Sequence, residues 1–94
     1  MTEPPWRLTV TAPARRRLAT FPEKVYFAIL DTLDAIAANP YRLGGPLKFD
    51  LAGYHCARRG TYRIVYRIDD DARSIHVVAI AHRAHVYRPG AGDR

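Results

Sequence analysis

Cysteine is nearly absent from this 94-residue chain. Its single copy, Cys56, excludes an intrachain disulfide and fits a reducing compartment. No apolar run approaches the roughly 20 residues that a membrane-spanning helix needs. Residues 1–10 also lack the apolar core of a secretory signal. A soluble, cytoplasmic protein with no membrane partner is expected. Gly-rich phosphate loops, paired CxxC motifs and HExxH are missing as well. A zinc site would have to gather His76, His82, His85 and Cys56 from scattered positions, so neither a metal nor a cofactor is expected.

Acid is scarce where base is dense. The net charge is +6, with six basic and four acidic side chains in residues 1–47 and nine and five in residues 48–94. Residues 53–68, GYHCARRGTYRIVYRI, hold four arginines, three tyrosines, one histidine and no acid. In an extended strand Tyr62, Ile64, Tyr66 and Ile68 share one face, and Arg63, Val65 and Arg67 share the other. A charged row backing an apolar row implies a sheet with one face in a core and the other toward something anionic. A solvated basic face would have the same composition.

At this length the chain is one domain, 1–94, able to bury roughly 60–65% of its unfolded surface. Residues 1–5 and 89–94 read as loose tails. Trp6–Val10 alternates like a half-buried first strand. Thr11 is placed to cap a helix whose first turn tolerates Pro13, with Ala14, Leu18 and Phe21 on its apolar stripe. Pro22 opens a second helix. Its apolar positions Tyr26, Ile29, Leu30, Leu33, Ile36 and Ala37 recur at helical spacing, and Asn39-Pro40 ends it. Tyr41–Gly53, with Gly44-Gly45-Pro46, reads as a loop. Strands follow at Tyr54–Arg59 and Tyr62–Ile68, joined at Gly60-Thr61. Ser74–Ala81 is apolar enough for a central strand covered on both faces. The order β-α-α-β-β-β predicts an α+β domain, a helical hairpin packed on one face of a mainly antiparallel four-stranded sheet.

The chemistry on offer is arginine, tyrosine and histidine. Arg63 and Arg83, with Arg58 or Arg59, are suited to hold a phosphate and to stabilise the charge that grows on it. Arginine stays protonated, so proton movement falls to His85, His82, His55 or Tyr87. RNA carries its own nucleophile, the 2′-hydroxyl beside each phosphate, and a cationic cleft that aligns it cuts by orientation and electrostatics. Tyr54, Tyr62 and Tyr87 are possible stacking surfaces for bases. Tyr62 and Tyr66 fit a core better, since they share their face with Ile64 and Ile68.

Three segments together resemble a known family. ARRG at 57–60 followed by TYRIVYRI at 61–68 is similar to the G-x-Y-R-(V/I/L)-x-Y strand of RelE/ParE-type toxins of bacterial toxin–antitoxin modules. HRAHVYR at 82–88 resembles the H-R-x-x-(V/I/L)-Y segment that closes those proteins, and PLKFDLAGYH at 46–55 their P-L-x-x-L-x-G approach to the second strand. The likeness spans essentially the whole chain and is nearest the RelE-like branch. It implies a metal-independent, ribosome-dependent mRNA endoribonuclease, an mRNA interferase that acts in the ribosomal A site and leaves a 2′,3′-cyclic phosphate. It also implies a cognate antitoxin as partner. By position, Arg63 would contact the scissile phosphate, Arg83 would stabilise the transition state, and Tyr87 would orient or stack on the substrate. Where RelE places lysines on its second strand, this chain has YHCARR. Arg58, Arg59 and Lys48 are the cations that would bind RNA there, and His55 and His85 are the candidates for proton transfer. The ParE branch shares the fold and implies a different target, DNA gyrase, bound without RNA chemistry.

Overall fold

The computed structural model describes residues 6–82. Its centre is β4 (Tyr62–Asp69), which pairs antiparallel with β3 (Tyr54–Arg59) on one side and β5 (Ser74–His82) on the other. β1 (Arg7–Val10) joins the far side of β5 in parallel, and a two-residue strand, β2 (Gly45–Pro46), flanks β3. Among the described residues the sheet therefore has five strands in the order β1-β5-β4-β3-β2, mostly antiparallel, one more than the sequence predicts. The extra strand is too short to carry a period. The tails expected at 1–5 and 89–94 lie outside the described residues.

Side-chain alternation divides the sheet into two chemically different faces. Ala57, Ile64, Tyr66, Ile75, Val77 and Ile80 point to one side and are buried. There they meet α1 (Ala12–Leu18) through Ala14 and Leu18, and α2 (Glu23–Ala38) through Ile29, Leu33 and Ile36. The helical stripes read from the sequence are the ones that cover the sheet. Thr11 precedes α1 as expected, but its hydroxyl makes no cap; Oγ1 is buried without a partner. The Arg15 guanidinium instead donates to the Val10 carbonyl at 3.1 Å.

The apolar doublet in SIHVVAIA has a specific cause. Val65 pairs with Ala79 and the next residue, Tyr66, pairs with Val77, so Val78 is an extra residue in β5. This β-bulge switches the phase of alternation, letting Ile75, Val77 and Ile80 all face the core. His76, Val78, Ala79 and Ala81 stay half-buried, so β5 is central without being fully covered on its second face.

Tyr41–Gly53 contains more structure than a loop. Asn39 ends α2, and its Oδ1 accepts the Tyr41 N–H at 3.1 Å, starting a single turn, α3 (Pro40–Leu43). A 3-10 turn follows β2 at Phe49–Leu51. α3 is fastened to the sheet by Tyr66, whose ring is fully buried and whose hydroxyl donates to the Pro40 carbonyl at 2.6 Å. Burial pushes the Tyr66 phenol up to about 12, so it stays protonated and keeps donating. Gly44 passes so close that a Cβ there would overlap the Tyr66 hydroxyl.

Tyr66→Phe removes the buried hydrogen bond to the Pro40 carbonyl and should cost about 0.5–1.5 kcal/mol. That corresponds to a Tm lower by roughly 4–8 °C per kcal/mol for a domain of this size. Gly44→Ala should destabilise through overlap at the same spot. Thermal unfolding followed by circular dichroism checks both; an unchanged Tm in either variant would contradict this packing.

Candidate nucleic-acid interface

The face of the sheet away from the helices carries the arginines. Arg58 and Arg63 are directly opposite in the β3–β4 hairpin, so their side chains leave the same face side by side. Arg63 is half-buried; its Nη1 donates to the Gly60 and Tyr62 carbonyls, each at 3.2 Å, which draws the guanidinium toward the hairpin turn. Gly60 takes φ +61 there, the left-handed conformation such a tight turn requires. One pair further along, Cys56 and Val65 are buried and form an apolar floor. Tyr54, Arg67 and His76 form the next row across three strands. Along β3 and β4 this face has no carboxylate until Asp69. Two guanidinium groups opposed across a ladder repel, so folding alone gives no reason to place them there.

The remaining candidates divide by parity. Arg59 is opposite Tyr62 and faces the helix side, where it borders a shallow cleft of about 290 Å³ with Lys24, Val25, Ala28 and Ile29 of α2. Arg58, and not Arg59, is therefore the neighbour of Arg63. His55 is opposite Tyr66 and also faces the helix side. Its ring lies 5.8 Å from that of Tyr66 at 20° and 5.8 Å from that of Tyr41 at 83°. Its Nδ1 is buried without a partner. Burial lowers the His55 pKa, partly offset by the charge of Asp70. His55 therefore lies on the face opposite Arg63, with the sheet between them.

Lys48 is exposed and follows Leu47, whose N–H donates to the Tyr54 carbonyl at 2.8 Å. That places it at the β3 edge by Tyr54, four residues from Arg58, a separation of about 13 Å along a strand. Arg67 makes no ion pair with the Asp69–Asp71 turn among the described residues; it sits beside Tyr54 and His76. His82 ends β5 opposite Tyr62, its ring edge-on to that tyrosine at 5.7 Å. Arg83, His85 and Tyr87 lie outside the described residues. Among the described residues no three His, Cys, Asp or Glu side chains converge as metal ligands would.

Residues 10–87 match the family of the ParE toxin of the type II toxin–antitoxin system parDE. The chain belongs to this toxin family. It is 44% identical over 85 residues to Toxin RelE of Mycobacterium tuberculosis, covering 89% of this chain and 88% of that protein. Toxin RelG of the same organism is 39% identical over 85 residues, covering 89% and 98%. Among solved structures, the toxin–antitoxin complex RelBE2 from Mycobacterium tuberculosis superimposes with a TM-score of 0.79 at 38% identity, over 84% of this chain and 99% of that one. The archaeal RelE–RelB complex from Pyrococcus horikoshii matches with a TM-score of 0.70 over 86% and 98%, at 20% identity, a likeness of fold alone. These relatives place the toxin in the RelE-like branch of the RelE/ParE superfamily. The G-x-Y-R segment of its sequence is the turn and start of β4 that set Arg63 beside Arg58.

Two outcomes follow from this placement. Arg58→Thr removes a like-charge neighbour and should raise stability by a few tenths of a kcal/mol, about 1–3 °C in Tm, where a lower Tm would contradict the repulsion. For His55, the unfolded imidazole takes up a proton below its ordinary value of 6.5 while the folded one resists. Stability is then lost as pH falls through that value. His55→Phe should flatten the loss measured by denaturant unfolding between about pH 7 and 5, and an unchanged pH profile would refute the partly desolvated neutral ring.

Proposed function

We propose that this toxin is a ribosome-dependent mRNA endoribonuclease that binds the RNA backbone on the open face of its sheet. The observation that carries the reading is the Arg58–Arg63 pair, two cations held together against their repulsion, with Arg63 aimed by the Gly60 and Tyr62 carbonyls. A guanidinium so fixed grips a phosphate with paired N–H groups and stabilises charge as the phosphorus becomes five-coordinate. The attacking group is the RNA's own 2′-hydroxyl: its oxygen bonds to phosphorus, its proton leaves to a base, and the 5′-oxygen of the next nucleotide departs as it takes a proton from a general acid. The products are a 2′,3′-cyclic phosphate and a free 5′-hydroxyl. This route uses no metal or cofactor.

With His55 on the other face, His85 and Tyr87 are the groups proposed to move the proton, and Arg83 the second phosphate ligand. All three follow β5 in sequence, and β5 ends beside the hairpin that holds Arg63. The ribosome is proposed to supply the substrate by presenting mRNA in an extended form; RelE-like kinship and the basic open face support this. A cognate antitoxin is proposed as the regulatory partner, because the structural relatives from Mycobacterium tuberculosis and Pyrococcus horikoshii are toxin–antitoxin complexes. Binding to DNA gyrase, the ParE-like alternative, is not better supported: the matching family is that of the ParE toxin, but the curated relatives are the toxins RelE and RelG.

Purified toxin should cleave mRNA on translating ribosomes and leave the same mRNA intact in their absence. Arg63→Ala should lower the single-turnover cleavage rate by about 100-fold or more. His55→Gln should stay within a few-fold of wild type. Equal rates for Arg63→Ala and wild type would remove the open face from catalysis, and a His55→Gln collapse in a folded protein would return that histidine to the mechanism.

A further inference from the structure

The open face carries a second polar row beyond the Arg58–Arg63 pair. Tyr54, Arg67 and His76 are in register across β3, β4 and β5, and Thr9 of β1 continues the line. With strands about 4.8 Å apart, the row runs about 14 Å across the sheet. The extra residue Val78 decides what β5 contributes to this face. After it, Ala79 and Ala81 stand beside Val65 and Arg63; before it, His76 stands beside Arg67. Arg67 is four residues along β4 from Arg63, about 13 Å, too far for one phosphate to meet both.

Arg67 is exposed, while Tyr54 and His76 are half-buried. Among the described residues no acceptor engages the Arg67 guanidinium. Asp69 and Asp70, the acids nearest it in sequence, have other partners. Asp69 accepts the Ala72 N–H at 3.1 Å, and Asp70 accepts the Tyr41 hydroxyl at 2.6 Å. The guanidinium therefore keeps its fork of donors for a ligand. A cation with a phenol on one flank and an imidazole on the other matches the parts of a nucleotide: a phosphate for the charge and a flat base for a ring. The row has no aliphatic side chain to seat a protein partner.

We propose that this row is a second nucleotide subsite, in which Arg67 holds the phosphate and Tyr54 stacks on the base of an mRNA nucleotide flanking the cut. His76 completes the wall on the far side of Arg67. The inference rests on the reading that the open face binds mRNA. It adds residues that select and position the message without taking part in bond cleavage.

The test is toxin affinity for ribosomes carrying an mRNA with a 2′-deoxynucleotide at the cut site, which measures binding without cleavage. Arg67→Gln should weaken this binding at least fivefold. Arg16→Gln, an exposed arginine on α1, should change it less than twofold. An abasic nucleotide is then moved one position at a time through the A-site codon and its neighbours. At one position it should weaken wild-type binding at least fivefold, and it should cause no further loss in Tyr54→Leu. Arg67 is exposed, so Arg67→Gln keeps the fold and carries the test even if Tyr54→Leu does not fold. Equal affinities for Arg67→Gln and wild type would overturn the proposal, as would equal losses in Arg67→Gln and Arg16→Gln. Unchanged ribosome binding with a slower maximal cleavage rate in Arg67→Gln would assign Arg67 to the chemistry, again against it. Weaker antitoxin binding with unchanged ribosome affinity would assign the row to a protein and overturn it too. A wild type that binds as expected and cuts no unmodified message would fail the proposed function and leave the subsite standing.

Discussion

The register of β4 between its two neighbours is the constraint on which the rest of the toxin depends. A slip of one residue would turn Ile64 and Tyr66 outward and drive Arg63 and Arg67 into the core. Tyr66 opposes that slip from within: its ring is fully buried and its hydroxyl reaches the Pro40 carbonyl. The bond also fixes α3, which precedes β2 in sequence and is held further by the Tyr41 hydroxyl donating to Asp70 Oδ1 at 2.6 Å. One tyrosine thus connects the register of the central strand to the closing of the helix-side core.

That register sets the electrostatics of the opposite face. With Tyr66 inward, Arg63 must point outward, and hairpin pairing then places Arg58 next to it. The core supplies the stabilisation that offsets guanidinium repulsion, since Ile29, Ile36, Ile64, Ile75 and Val77 are all fully buried. Large aliphatic side chains contribute roughly 1.5–3 kcal/mol each on full burial, well above the fraction of a kcal/mol lost to an exposed like-charge pair. The protein can hold a strained charge arrangement because its apolar face is so completely covered.

Much of this was legible in the residues. Period-2 alternation in TYRIVYRI and helical spacing from Tyr26 to Ala37 were enough to assign both faces of the sheet and the α+β class. Other features were written in the sequence less directly. Counting outward from the two-residue turn at Gly60-Thr61 pairs Arg59 with Tyr62, Arg58 with Arg63 and His55 with Tyr66. That count would have chosen Arg58 over Arg59 and placed His55 on the core side; considered singly, these residues look alike. The structure inside Tyr41–Gly53 was hidden because its elements are two to four residues long, too short for a period. The Val78 bulge left only an apolar doublet as its trace, which a fully covered strand explains equally well.

The open arginine face is proposed to cut RNA held on the ribosome by activating the RNA's own hydroxyl. The most direct measurement is single-turnover cleavage of a ribosome-bound mRNA carrying one 2′-deoxynucleotide at the mapped cut site. The unmodified message should yield a fragment ending in a 2′,3′-cyclic phosphate, and the substituted message should stay intact at that position. Cleavage of the deoxy-substituted position at the normal rate would contradict the claim.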